Sequence, residues 1–436
     1  MVRLTGTISH LRSRRILVVG DLMLDTYTIG KARRISPEAP VAIIQVMRED
    51  SRPGGAGNVA LNLLALGAKV LLLGRIGCDS SSVLLQEALK QENIDTHGLF
   101  VQEEFSTPLK NRVIADNQQI VRVDYEQATP LSETLEQQII AALPSLMKGI
   151  EAVAISDYGK GFLSRALLQA IICQAKQQQI PVITDPKGID FTKYEGTTIL
   201  KPNLSEAYAA AGLLPDANLE EAAQKILQSV QAQILMVTRS EAGISIFQKD
   251  KKRQDFAVRS REIKDVTGAG DTVLAMLTYA IANKLTIGEA AELSNVAAGL
   301  AVERFGCARI SLSELARRLL ESDMTNKVFD GEHLDALLEA LKGTQYNLLE
   351  LSGVEGMTSS IFSAIHRLAK TGKDLVVFLR DAVPESDFVD LLSAFNDIKF
   401  IIVQSKSLEN LCQKVPPAGI YIADEMTCKA ISRDDG

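Results

Sequence analysis

The stretch DVTGAGDTVLA, Asp265 to Ala275, puts two glycines and an acid into the turn that opens an apolar, helix-like run. Gly268 and Gly270 permit a tight turn whose backbone N–H groups point inward. The partial positive end of the following helix adds to them, so the turn can cradle phosphate. Asp271 would repel a resting anion there, but it suits one in flight. Phosphoryl transfer needs donors for the charge on the moving group and a base that takes the proton of the attacking hydroxyl. Two other readings use the same letters. Asp271 could be a plain N-cap residue, favoured at helix starts for backbone reasons alone. A dinucleotide fingerprint, G-x-G-x-x-G, would need its third glycine where Val273 stands, and this motif comes late in the chain.

Three further clusters could serve the same chemistry. PGGAGN, Pro53 to Asn58, leads into VALNLLALG; Gly54 and Gly55 would let backbone approach a ligand, and Asn58 offers donor and acceptor together. Such a site fits a polyol, and the same letters make a tight strand-to-helix turn. Asp25, just beyond the run RILVVGD, could accept from two sugar hydroxyls, with Asp21 as its rival and a solvated loop acid as the plain alternative. In KPNLSEA, Asn203 and Glu206 stand at N-x-x-E spacing, which places amide and carboxylate on one side of a first helical turn. That suits a hydrated Mg²⁺ near phosphates, and equally a helix-capping pair. No G-x-x-x-x-G-K-[ST] occurs, and the GKG of SDYGKG lacks both the spacing and the hydroxyl of a P-loop.

The elements that must position these residues follow a rhythm. RILVVGD, KVLLLGRIG, AVAISDYG, PVITDPKG, TILKPN and ILMVTRS are short β-rich runs with helix-like text between them, which predicts repeated β-α units and a parallel sheet covered by helices. Many runs end in a polar or glycine-containing cluster, where open α/β sheets bind ligands. ISPEAPVAIIQVMRED and the period-two segment NRVIADNQQIVRVDYE break the rhythm and read as strands of a small lid outside the main sheet. A fresh α/β series, YNLLELSG, DLVVFLRD, KFIIVQS and GIYIAD, begins after about residue 322. The expected domains are therefore 1–322 and 323–436.

With 436 residues, 46% of them apolar, the chain can bury two cores. The net charge is −7, and from Thr325 onward eleven basic residues face seventeen acidic ones, so neither part has the basic excess of a nucleic-acid binder. Cys78, Cys173, Cys307, Cys412 and Cys428 are scattered without ligand spacing and read as reduced core thiols rather than a metal site. The text holds no membrane-spanning run, and MVRLTGTISHLRSRR has no apolar stretch of signal-peptide type behind it, so a cytoplasmic protein without membrane contact is expected.

In chain order, PGGAGN, N-x-x-E and DVTGAGDT resemble the two signatures of the ribokinase-like, phosphofructokinase B-type sugar kinases, over about residues 12 to 320. Within that family RISPEAPV, RPGGAGNVALNL, NQQIVRVDYE, SDYGKG, DPKG, KPNLSE, VTRSEAG and DVTGAGDTV resemble the heptose 7-phosphate kinases of lipopolysaccharide-core biosynthesis. The resemblance implies a central, mostly parallel sheet flanked by helices with a small β lid. It also implies transfer from ATP to the anomeric hydroxyl of D-glycero-D-manno-heptose 7-phosphate, giving the 1,7-bisphosphate. ATP and Mg²⁺ are the implied cofactors, a monovalent cation is left open, and the lid implies a homodimer. Asp271 would be the base, and the Gly268, Ala269 and Gly270 amides the anion hole. Asp25, Gly54, Gly55 and Asn58 would hold sugar hydroxyls, with Arg122, Asp157 and Lys187 as further substrate contacts. Arg122 reads equally as a strand-surface ion pair and Asp157 as a helix cap. Asn203 and Glu206 would organise Mg²⁺ and the ATP phosphates, Glu206 through water. Thr238, Arg239 and Gly243 would line the nucleotide loop, and Asn295 would lie near adenine.

In this family the kinase is often fused to an adenylyltransferase that opens with a TNGVFDxxHxGH-like signature. Thr325 to Ala336 reads TNKVFDGEHLDA, in which His333 can stand for the first histidine. Asp335-Ala336 replaces the following Gly-His, and Lys327 replaces the glycine. An acid where phosphate should bind opposes the substrate. The expectation is a smaller, Rossmann-like α/β domain descended from that enzyme and kept for stability or partner contact, with a bifunctional enzyme as the alternative. A non-catalytic sugar-phosphate sensor on the kinase fold is the rival from another class, and it leaves an acid at position 271 without a purpose.

Overall fold

The computed structural model describes residues 8, 11–116, 118–258, 263–304, 306–322, 327–329, 334–352, 356–380, 386–403, 412–423 and 428–431. The chain divides into Arg12–Ser311 and a second compact unit made of Leu312–Gly436 with Met1–Leu11. The division falls at 311 rather than near 322. The reason is local: helix Leu312–Ser322 packs on helix Leu334–Leu341, with Ser313 Oγ donating to Glu339 at 3.2 Å.

The first unit is built on a nine-stranded sheet. Its strands are β1 (Arg15–Gly20), β4 (Lys69–Ile76), β5 (Asp95–Val101), β8 (Ala152–Ser156), β9 (Val182–Asp185), β10 (Ile199–Leu200), β11 (Ile234–Thr238), β12 (Ile244–Gln248) and β13 (Gln254–Phe256). Their order is β13-β12-β11-β10-β9-β8-β1-β4-β5, parallel from β5 to β11 and antiparallel through the edge hairpin β12–β13. All six β-rich runs of the sequence are strands of this sheet. Ile16, Leu17, Val18 and Val19 are all fully buried, because helices cover both faces of a parallel sheet and a strand there has no polar side to show. The chain leaves β1 toward β4 on one side and returns as β8 on the other. A crevice therefore opens at the carboxyl ends of β1 and β8.

Above that crevice, β2 (Leu22–Ile35), β3 (Ala42–Gly55), β6 (Leu109–Ala115) and β7 (Gln118–Tyr125) form a four-stranded sheet in the order β3-β2-β6-β7. These are the strands expected outside the main sheet. Leu22 to Leu24 are buried while Lys31 to Ile35 are exposed, so β2 runs from the body outward. β3 returns in register, Leu22 opposite Gly55, and hands the chain to helix α1 (Ala56–Ala65) at the crevice. Helix α7 (Ala269–Ala282) lies under the same crevice, and helix α8 (Ile287–Val302) follows it.

The second unit has a six-stranded sheet of β14 (Val328–Phe329), β15 (Tyr346–Leu351), β16 (Asp374–Leu379), β17 (Phe400–Ile402), β18 (Gly419–Ala423) and β19 (Cys428–Ile431), ordered β14-β17-β16-β15-β18-β19. All but β19 are parallel. Its core joins Leu349, Leu351, Ile361, Ile365, Val377 and Ile401.

Candidate active site

Helix α7 starts at Gly268, whose φ of 78° lies in the left-handed region. A Cβ there would stand 2.9 Å from Asn58 Nδ2 and 3.2 Å from Cys307 Sγ, so both backbone and space require glycine. Gly268 is the N-cap and makes no side-chain cap bond. Asp271 is buried and spends its oxygens elsewhere: Oδ2 accepts from Asn58 Nδ2 at 2.8 Å and Oδ1 from the Tyr158 hydroxyl at 2.7 Å. The N-cap reading of Asp271 therefore fails. Burial pushes its carboxyl up to about 7, helped by nearby Asp185 and opposed by the two hydrogen bonds and Lys201. An acid balanced near neutrality suits proton transfer in either direction.

The three amides expected as an anion hole are not equivalent. Ala269 N–H donates to the Val266 carbonyl at 3.2 Å and so closes the turn. A Cβ on Gly270 would meet only Asp185 Oδ2 at 3.9 Å and Lys201 Nζ at 4.0 Å, so this turn faces a charged wall. Lys201 is buried and pairs with Asp185 at 2.9 Å, and burial pushes the Asp185 carboxyl up against that pairing.

On the lid side, Asp25 is buried against Gly54, where a Cβ would fall 2.1 Å from Asp25 Oδ2. Arg112 of β6 donates to Asp25 Oδ1 at 2.6 Å and lies over the Tyr27 ring. Gly55, φ 56°, is the N-cap of α1. Asn58, expected to meet sugar, gives its amide to Asp271, while its Oδ1 accepts from Asn62 at 3.3 Å. Asp157 likewise is engaged: Oδ1 accepts from Gly159 N–H at 2.7 Å, and Oδ2 from Tyr194 at 2.6 Å and Lys193 at 2.7 Å. Asp21, the rival of Asp25, accepts from the backbone of Tyr158 and Lys160 at 2.9 and 3.1 Å. Arg122 is half exposed on β7 and pairs with Asp124 at 2.9 Å, the strand-surface ion pair.

On the opposite side, Asn203 and Glu206 form a reciprocal capping box, Oδ1 accepting from Glu206 N–H at 2.9 Å and Glu206 Oε2 from Asn203 N–H at 3.1 Å. Glu206 Oε1 also takes Lys187 Nζ at 2.8 Å, which raises the lysine. Thr238 bridges to Asn203, and Arg239 N–H donates to Gly243 O at 2.7 Å. At Gly243, φ 86°, a Cβ would stand 2.0 Å from the Phe256 carbonyl, which also accepts from Asn295 Nδ2 at 2.8 Å. Hence Asn203, Glu206, Lys187, Thr238, Arg239, Gly243 and Asn295 share one rim, and Asp25, Gly54, Gly55, Asn58 and Asp271 the other, with Asp185 and Lys201 beside the turn between. Sequence reasoning missed Tyr158, Asp185, Lys201 and Arg112, although all four stand in the quoted SDYGKG, DPKG, KPNLSE and NRVIADNQQIVRVDYE.

The family model described as pfkB family carbohydrate kinase matches residues 13–315. The chain belongs to that family. This carbohydrate kinase is 36% identical, over 98% of its length and 91% of the relative's, to a Geobacter metallireducens protein named bifunctional protein HldE. It is 44% identical, over 76% of its length and 69% of the relative's, to the protein of that name from Trichlorobacter lovleyi. Among solved structures it is similar to Arabidopsis thaliana ribokinase complexed with ribose and ATP, at 18% identity and a TM-score of 0.55, over 71% of this chain and 99% of that one. Escherichia coli phosphofructokinase-2 in complex with potassium gives 20% identity and a TM-score of 0.59 over the same shares, 71% and 99%. The fold of the kinase unit is ribokinase-like.

In the second unit of this kinase the described residues of TNKVFDGEHLDA, 327–329 and 334–336, lie off centre. Val328–Phe329 is the edge strand β14, beside β17, whereas the switch of direction lies at β15, between β16 and β18. Lys327 donates to the Phe395 carbonyl at 2.7 Å and Ala336 is buried in helix Leu334–Leu341. His333 lies outside the described residues. At the end of β15 the buried Glu350 pairs with Arg380.

Proposed function

We propose that this kinase transfers the γ-phosphoryl group of ATP to the anomeric hydroxyl of D-glycero-D-manno-heptose 7-phosphate. The observation that carries the chemistry is Asp271, buried at the start of α7 with each oxygen pinned by one donor and its carboxyl near neutrality. Asp271 takes the hydroxyl proton as the phosphoryl group arrives, and the Gly270 amide with the α7 N-terminus receives the charge. Asp25, oriented by Arg112, holds a sugar hydroxyl. The heptose assignment is supported by the RISPEAPV, SDYGKG and KPNLSE text and by the relatives named HldE.

Mg²⁺ supplies charge neutralisation on the ATP phosphates when bound. Glu206 and Asp185 are the carboxylates that would hold it, and one or two carboxylates are what Mg²⁺ asks for when phosphates and water complete its shell. Asn203, Thr238, Arg239, Gly243 and Asn295 form the proposed nucleotide rim, and Lys187 a phosphate contact. Ile35, Val41, Val46, Met47, Ile120 and Val121 leave an apolar lid surface exposed, which supports a homodimer through the lid; sedimentation as a monomer at micromolar concentration removes that part of the reading. No helix among the described residues is long and apolar enough to cross a membrane, and we place the protein in the cytoplasm.

The test is ADP release with ATP, Mg²⁺ and heptose 7-phosphate, fructose 6-phosphate or ribose, with and without potassium. Turnover confined to the heptose phosphate is expected; turnover confined to another sugar overturns the substrate. The relatives' name and the near full-length match favour a bifunctional enzyme as the second reading. Our reading of the second unit is a non-catalytic domain. Formation of ADP-heptose from heptose 1-phosphate and ATP by the purified chain would overturn it.

A further inference from the structure

Both oxygens of Asp271 are held, yet nothing assigned so far explains one of the two holders. A carboxylate has about four lone-pair sites, and Asn58 and Tyr158 take one on each oxygen. The carboxylate plane is thereby fixed, with one site on each oxygen left for an incoming hydroxyl. Tyr158 is itself immobilised. It belongs to the turn after β8, where Tyr158 and Lys160 N–H donate to Asp21 and Gly159 N–H donates to Asp157. Asp157 is tied in turn to Tyr194 and Lys193. Two buried acids at strand ends thus hold a single phenol against the base.

We propose that Tyr158 is a positioning residue for Asp271, fixing with Asn58 the plane in which the carboxylate meets the acceptor hydroxyl. Burial and Asp271 push the phenol well above its ordinary range, so it remains a donor at every working pH. A hydrogen bond given to a carboxylate favours its charged form, so losing it moves the base upward. The other groups facing Asp271 are Asp185 at the end of β9, Lys201 after β10 and Cys307 packed on Gly268. The Cys307 thiol is pushed up to about 12 by burial and stays neutral, and Asp185 and Lys201 neutralise each other.

The inference rests on Asp271 being the base, and the test separates the two. Tyr158→Phe, Tyr194→Phe and Asp271→Asn are compared in the full chain, first by the pH profile of ADP release from ATP and heptose 7-phosphate. The aspartate carboxyls are also titrated by ¹³C NMR without any acceptor, the Asp271 signal being the one missing from Asp271→Asn. In Tyr158→Phe the acid limb of kcat and the Asp271 titration should both move up by about one pH unit, a tenfold loss of turnover below the limb. KM for both substrates should stay within about twofold of wild type. Tyr194→Phe removes one of three donors to Asp157 and none from Asp271; Lys193 and the Gly159 N–H still hold Asp157, so both midpoints should stay in place. An unmoved midpoint in Tyr158→Phe, or an equal shift in Tyr194→Phe, overturns the positioning role. If Asp271→Asn turns over like wild type, the base itself is misassigned; if it is inert while Tyr158→Phe keeps the wild-type midpoint, only the inference falls.

Discussion

Two parallel sheets in one chain end in crevices of the same construction, and among the described residues only one of them is furnished. At the carboxyl ends of β1, β8 and β9 stand Asp21, Asp157 and Asp185, each engaged by backbone, tyrosine or lysine; the first two hold the turn whose Tyr158 donates to a buried acid on a glycine turn, and the third faces that acid. At the end of β15 stand Ser352 and a glutamate neutralised by Arg380, while Val328–Phe329 of the signature text is an edge strand. The architecture alone is therefore silent about chemistry. What distinguishes the two crevices is a small set of side chains held by partners distant in sequence.

The comparison breaks most sharply at Asp271. Asp271→Asn should lower kcat by roughly 10³-fold, within the range of a lost general base, with ATP and sugar binding retained in calorimetry. Turnover near wild type would reduce the first crevice to the level of the second. Gly54→Ala is expected to come next. Its methyl must displace the Asp25 carboxylate, and a misplacement of that size costs on the order of 10²-fold in kcat/KM, read chiefly as weaker sugar binding. An unchanged KM for sugar would remove Asp25 from the site.

A third expectation concerns stability. The Asp271 carboxyl, ordinarily near 3.8, is raised to about 7, so its contribution is fully present below about pH 4 and is lost as pH rises through 7. At about 1.4 kcal/mol per unit, wild type should lose up to about 4 kcal/mol relative to Asp271→Asn between pH 4 and 8. Denaturant midpoints of the two proteins across that window check it; parallel curves would mean that the base is not desolvated. A cost of this kind borne at one residue is itself a mark of a functional crevice.

The strands were legible because a strand covered on both faces must be a continuous apolar run, and five of the six runs in the first sheet, all but that of β4, ended in residues of the crevice. Asp271 was legible because an acid beside two glycines contradicts the anion site they build. The partners were not. Asn58 and Tyr158 lie 213 and 113 positions from Asp271, and Arg112 lies 87 from Asp25, so no spacing rule reaches them. The text N-x-x-E was ambiguous in principle, since a capping box and a phosphate-side amide and acid need the same helical turn. TNKVFDGEHLDA could not be placed in its sheet for another reason. A motif names a crevice only if its strand is central, and strand order is decided by pairing that the letters do not record.

The smallest effect is expected at Lys327, and it sharpens the comparison from the other side. In the signature this position is a glycine. Here the lysine reaches the Phe395 carbonyl, and burial holds its ammonium below the usual range. Such a contact stabilises the fold and does nothing for a ligand. Lys327→Ala should therefore cost about 1 kcal/mol in denaturant titration, the usual net worth of one hydrogen bond, and leave ADP release by the kinase unchanged. A loss of ATP turnover would overturn the reading of Lys327 as a purely structural contact.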